Sequence, residues 1–172
     1  KYGKLGASSR LRTLQYLALL ERENINVSSH ALISDKALTL RYKFGYYSFL
    51  SLIFFYINRI KTLIFKKSFD LVWIEKESLP WFPAWIELLL LGGKPFVLDY
   101  DDATFHNYDK NDSKILRYFF HDRLDRLMAK SSLVICGNSY LQKRAKSAGA
   151  LHTVILPTVI DLDKYLVKEY KN

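Results

Sequence analysis

The sequence predicts a doubly wound α/β domain built on a parallel sheet, and three observations predict it. Short, continuous apolar runs recur along the chain, the pattern of strands covered on both faces. Stretches of helical periodicity separate them, long enough for the crossovers that a parallel sheet requires. The composition is that of an ordinary packed domain: of 172 residues, 49% are apolar and 25% charged, which excludes disorder and fibrous repeats.

Taken in order, KYGKLGASSR (1–10) reads as a loop with no strand ahead of it, so the chain is expected to be a piece of a longer polypeptide. Leu11, Leu14, Leu17, Ala18 and Leu20 then recur at three-to-four spacing, a helix that Ser8 or Ser9 is placed to cap. NINVSSHALIS (24–34) reads as a strand, and FDLVWIE (69–75) as a strand buried on both faces. A helix is expected from Trp81 to Leu91, ended by Gly92 and Gly93.

KPFVLDYDD (94–102) is a buried strand running into acids. Asp112 or Ser113 can cap a helix whose apolar face is Leu116, Phe119, Phe120, Leu124, Leu127 and Met128. SLVICGN (132–138) is a strand, a short helix follows to Ala148, and HTVILP (152–157) is the last strand. There is no internal repeat. In such a sheet ligands gather where strands end and helices begin, so chemistry is expected in loops 1–10, 75–81, 99–112 and 137–140.

Charge and cysteine usage narrow the function. The single cysteine, Cys136, cannot form an internal disulfide, and no Cys/His spacing suits zinc, which fits a reducing compartment. A net charge of +9 with 15% aromatic residues points to an anionic partner. Between Lys36 and Phe69 there is no acidic residue, while seven bases (Lys36, Arg41, Lys43, Arg59, Lys61, Lys66, Lys67) and ten aromatics lie there. The apolar run Tyr46–Ile57 is well short of the roughly 20 residues needed to span a bilayer. Cations beside aromatic anchors suit an in-plane membrane helix, with Arg41, Lys43, Arg59, Lys61, Lys66 and Lys67 on anionic lipid. A core helix with a solvated basic edge is the plainer alternative. Nucleic acid is disfavoured because no nucleic-acid module is recognisable.

Candidate site residues follow from the loops. Gly3, Gly6, Ser8, Ser9, Arg10 and Arg12 form a basic glycine/serine turn before a helix, a design that suits phosphate, although it matches neither GxxxxGK[ST] nor GxGxxG. In VLDYDDATFH (97–106), Asp99, Asp101 and Asp102 leave a buried strand together and repel one another unless something uses them. They are candidates for a general base, a hydroxyl anchor or a metal site, with His106 beside them. Glu75, Lys76 and Glu77 end the preceding strand and can bind hydroxyls or form a surface ion pair. Cys136 reads as inert core, and Asn138 and Ser139 stand at a strand-to-helix turn where capping also accounts for them.

GASSRLR (6–12), FDLVWIEKE (69–77), PFVLDYDDATFH (95–106), LVICGNSYL (133–141) and LPTVIDLDKY (156–165), in this order, resemble the amino-terminal half of a family 4 glycosyltransferase of the GT-B fold. The resemblance implies a Rossmann-like acceptor lobe over 1–156, lacking its first strand, and a linker over 157–172 to a second lobe that binds a nucleotide-sugar. It implies sugar transfer with retention, no metal or other cofactor, and a glycan or lipid-linked acceptor. Gly6, Ser9 and Arg10 would face the donor phosphates, with Arg12 a further phosphate ligand. Glu75, Glu77, His106 and Asn138 would contact substrate. Asp101 and Asp102 stand where the family often has a His-Asp pair and would supply the base. The glutamate pair that marks the donor lobe is absent, so these residues alone are expected to be inactive. The expected location is the cytoplasm, peripheral to the inner face of the plasma membrane. Two alternatives stay open: a metal-dependent GT-A transferase using Asp99 and Asp101, and a non-catalytic membrane-docking subunit of a split glycosyltransferase.

Overall fold

The computed structural model describes residues 2–65 and 69–161. In chain order the elements are α1 (Ala7–Arg12), α2 (Leu17–Arg22), α3 (Asp35–Phe44), α4 (Phe49–Phe65), β1 (Val72–Glu75), α5 (Ala84–Leu91), β2 (Phe96–Tyr100), α6 (His106–Asp109), α7 (Lys114–Phe120), α8 (Arg123–Lys130), β3 (Leu133–Cys136), α9 (Ser139–Ser147) and β4 (Thr153–Ile155). The four strands form one all-parallel sheet in the order β1-β2-β3-β4. This is a Rossmann-like α/β fold.

Because side chains alternate along a strand, the sheet has two differently used faces. Ile74, Leu98, Tyr100, Val134 and Cys136 point into the main core, against Leu91, Leu124, Leu127, Met128 and Leu141. The helices there, α5, α8 and α9, pack side by side in one layer, as expected when each crossover steps the same way across the sheet. Trp73, Glu75, Val97 and Asp99 have the opposite parity and face α1 and α2. On that side a cavity of about 940 Å³ runs along β1, lined by Leu14, Leu17, Leu20 and Trp73 among others.

All four downstream strand expectations hold, but 24–34 is not a strand. Among the described residues its only ladder-type contact is an isolated parallel bridge between Ile33 and Tyr2. The reason lies in its composition. Only Leu32 and Ile33 are buried, in a small separate cluster with Leu38, whereas Ser28 and His30 hydrogen-bond to each other at 2.8 Å and Asn24 takes a positive φ of 60°.

Helix ends also differ. Gly6 is the N-cap of α1, so Ser8 and Ser9 lie within the first turn. The helix expected from Trp81 starts at Ala84, because Pro83 is its N-cap and Trp81 is held at φ +63°. The helix expected across 113–128 is two, α7 capped by the Ser113 hydroxyl and α8 beginning after Asp122. The linker expected over 157–172 is described only to residue 161, and the rest lies outside the described residues.

Candidate functional site

Two loops meet at the carboxyl end of the sheet. The turn before α1 is folded tightly. The Asp35 carboxylate accepts from the backbone N–H groups of Lys4 and Leu5 at 3.2 and 3.1 Å, and a Cβ on Gly3 would lie 2.6 Å from that carboxylate. Gly6 bonds back to the Gly3 carbonyl at 3.1 Å. The first turn of α1 thereby reaches the strand ends: Ser9 Oγ donates to Glu75 Oε1 at 3.0 Å, and the Ser8 hydroxyl lies close enough to Asp101 to lower its pKa.

Arg12, at the end of α1, lies across the sheet. Its Nε and Nη2 donate to Asp99 Oδ1, and its Nη1 donates to the Leu156 carbonyl and to Thr158 Oγ1. Both partners are buried, Arg12 to 4% and Asp99 to 1% exposure. Burial raises the Asp99 carboxyl above its usual range, with the Arg12 guanidinium opposing that rise. Asp99 Oδ2 has no hydrogen-bond partner among the described residues.

Lys76 is the second organising cation. It follows β1 in a left-handed conformation, φ +64°, and its Nζ lies 2.6 Å from Asp102 Oδ2 and 3.0 Å from Asp101 Oδ1. Burial alone would lower its pKa, but the Asp102 hydrogen bond and the Asp101 charge outweigh burial and raise it. Burial pushes Asp101 the other way, upward, and the Ser8 hydroxyl and Lys76 ammonium together hold it below the ordinary carboxylate range. Thr104 Oγ1 donates to Asp102 Oδ1, whose side chain remains 60% exposed. Gly137 closes the floor, where a Cβ would lie 3.2 Å from the Asp101 Cα.

The structure therefore brings Gly6, Ser9, Arg12, Glu75, Asp101 and Asp102 to one rim. Other residues expected in the site lie elsewhere. Arg10 is exposed and donates to the Lys4 carbonyl at 3.3 Å. Glu77 is buried, its Oε2 accepting from the Tyr108 hydroxyl and, at 2.9 Å, from Arg123 Nη1. Arg123 also binds Glu87 at 2.7 Å and the carbonyls of Leu79 and Phe82, a network that fastens the loop after β1 to α8. His106 is held between Asp109 at 2.7 Å and the Tyr140 hydroxyl at 2.8 Å, in a separate shallow hollow of about 320 Å³ beside Trp81. Asn138 caps α9 through the Leu141 N–H.

Three residues that the sequence did not single out matter as much: Gly137, which approaches Asp101 closely, and the buried pair Arg123 and Glu87, each meeting a partner distant in the chain. Of these only the glycine directly after a strand carried a sequence signal. The donor set does not suit a divalent metal: the positions beside Asp99 and Asp101 are already taken by Arg12 and Lys76, whose positive charges would repel one. Among the described residues no group of three or more His, Cys, Asp or Glu side chains is arranged to hold a metal ion.

Comparison of the chain with protein-family models, with characterised proteins and with solved structures gives no match.

Proposed function

We propose that this chain is the acceptor-binding lobe of a retaining glycosyltransferase that moves a sugar from a nucleotide-sugar to a hydroxyl acceptor. The carrying observation is the meeting of the glycine/serine turn with the ends of β1 and β2, where Ser9 hydrogen-bonds Glu75 and the Ser8 hydroxyl lies beside Asp101. Had the two loops lain at opposite rims, no shared site would exist.

Roles divide by exposure. Asp102, open to solvent and oriented by Lys76 and Thr104, is the group able to take the proton from an acceptor hydroxyl. As that proton leaves, the hydroxyl oxygen bonds to the anomeric carbon on the same face from which the nucleoside diphosphate departs with the electron pair of the broken sugar–phosphate bond, so that configuration is retained. Asp101, kept ionised and paired with Lys76, is a positioning residue. Arg12 is committed to Asp99 and Arg10 lies outside this rim, so phosphate contact falls to the N–H groups of the first turn together with a second lobe. The expected place of work is the cytoplasm, on acceptors presented at a membrane face.

The test is made on the protein containing both lobes. Asp102→Asn is expected to lower kcat by at least about a hundredfold with KM for the nucleotide-sugar little changed. Full turnover by that variant would remove Asp102 from the chemistry and overturn the assignment.

A further inference from the structure

Helix α4 is turned inside out relative to an ordinary surface helix. Nine of its seventeen residues are exposed, and seven of those nine are Phe, Leu or Ile: Phe49, Leu50, Ile53, Phe54, Ile57, Ile64 and Phe65. At 100° per residue they occupy one continuous half of the helix. Leu50 is 75% exposed and Phe54 61%. The opposite half faces the domain: Tyr56 donates to the Pro80 carbonyl and stacks on Phe82, Leu63 packs on the main core, and Arg59 donates to the His30 carbonyl at 2.8 Å. The helix is thus fixed by its inner face while its outer face stands uncovered.

The surroundings say what would cover it. Gly45, in a left-handed conformation at the end of α3, turns the chain toward α4, and the exposed rings of Tyr42, Phe44 and Tyr46 cluster at this bend. Exposed Lys61 stands within the apolar arc, exposed Arg41 and Lys43 lie near the end of α3 at the bend, and no acidic residue occurs between positions 36 and 69. A protein partner needs no such single-signed border, whereas an anionic bilayer surface is matched by it: rings at the headgroup level, aliphatic side chains below them, cations toward phosphate.

We propose that the outer face of α4, with the α3–α4 bend, is an in-plane docking surface for an anionic lipid bilayer. At 1.5 Å per residue its seventeen residues form a rod of about 26 Å lying along the surface. No helix among the described residues is long and apolar enough to cross a membrane. Of the cations expected at this seat Arg59 belongs instead to the inner face, and insertion of the apolar half is the main attachment. Lys66 and Lys67 lie outside the described residues. The proposal is independent of the transferase reading.

Vesicle co-sedimentation tests it, with phosphatidylcholine alone and with phosphatidylcholine containing phosphatidylglycerol. The protein is expected to pellet with the anionic vesicles, less so as salt rises. Phe54→Asp should weaken binding to them by about tenfold or more, with an unchanged circular dichroism spectrum because Phe54 is not part of the core. Lys61→Glu should weaken binding several-fold, and only on anionic vesicles. Failure to pellet, or equal pelleting of wild type and Phe54→Asp, overturns the proposal. So does a dimer in light scattering that Phe54→Asp converts to monomer, which would assign the face to a second copy of the chain.

Discussion

Arg12 and Asp99, 87 positions apart in the chain, form a buried charge-assisted hydrogen bond at 3.0 Å between Arg12 Nε and Asp99 Oδ1. This contact pins α1 against β2, and with the Leu156 carbonyl it also ties in the chain after β4. The turn that carries Ser8 and Ser9 is presented to the strand ends by that anchor.

Removing one member of this pair leaves a buried charge without compensation. Arg12→Met is expected to destabilise the fold by about 3–5 kcal/mol, read from urea unfolding. Combined with Asp99→Leu, much of that loss should return, because the stranded carboxylate is gone. A double variant no more stable than Arg12→Met would show that the pair's charge is not the cause.

The Glu77–Arg123–Glu87 network places two carboxylates on one guanidinium. Burial raises the Glu87 carboxyl, opposed by Arg123 and by the N–H groups of Ser78 and Leu79. With a folded pKa above the unfolded one, Glu87 favours the fold most at pH below its unfolded value of about 4.3. That advantage is lost as pH rises through the folded value. Glu87→Gln is therefore expected to flatten this part of the stability–pH curve, whereas Arg123→Met should cost about 3–5 kcal/mol at neutral pH. Thermal melts from pH 4 to 8 read both.

At the candidate site the sign is opposite. Asp101 titrates below the usual range in the fold, so its stabilisation is present above the unfolded value of about 3.9. It disappears as pH falls through the lower folded value. Lys76→Met should remove much of the charge support and make the protein less sensitive to acid between pH 4 and 2, measured by acid unfolding. An unchanged acid limb would mean that Lys76 does not hold Asp101 ionised.

Cys136 lies in β3 with its side chain in the core, and burial pushes its thiol up to about 11. At pH 8 a thiol-disulfide reagent should modify it only on unfolding, with a rate at least about a hundredfold slower in the native protein. Fast native labelling would show that the core around β3 opens readily.

Legibility followed the range of the interactions. The runs that became β1 to β4 announced themselves, because a strand covered on both faces must be apolar over its own length. The Ser113 cap was legible for the same local reason. NINVSSHALIS misled because only Leu32 and Ile33 of it are buried, and they pack in a small cluster with Leu38 rather than on the sheet. Ser8 and Ser9 looked like caps because a hydroxyl before a helix has two uses, and only the position of Asp101 and Glu75 selects the second.

By itself, the sequence determined the parallel α/β architecture, the gathering of acids and a glycine/serine turn at strand ends, and a long basic aromatic stretch without acids. Those properties reside in local pattern and composition. Tertiary structure alone decided which acid is buried on Arg12 and which stays open to solvent, that Glu77 turns toward Arg123 from 46 positions away, and that α4 shows its apolar half outward. Side-chain direction at these points is set by partners distant in the chain, and no local pattern encodes where such partners will lie.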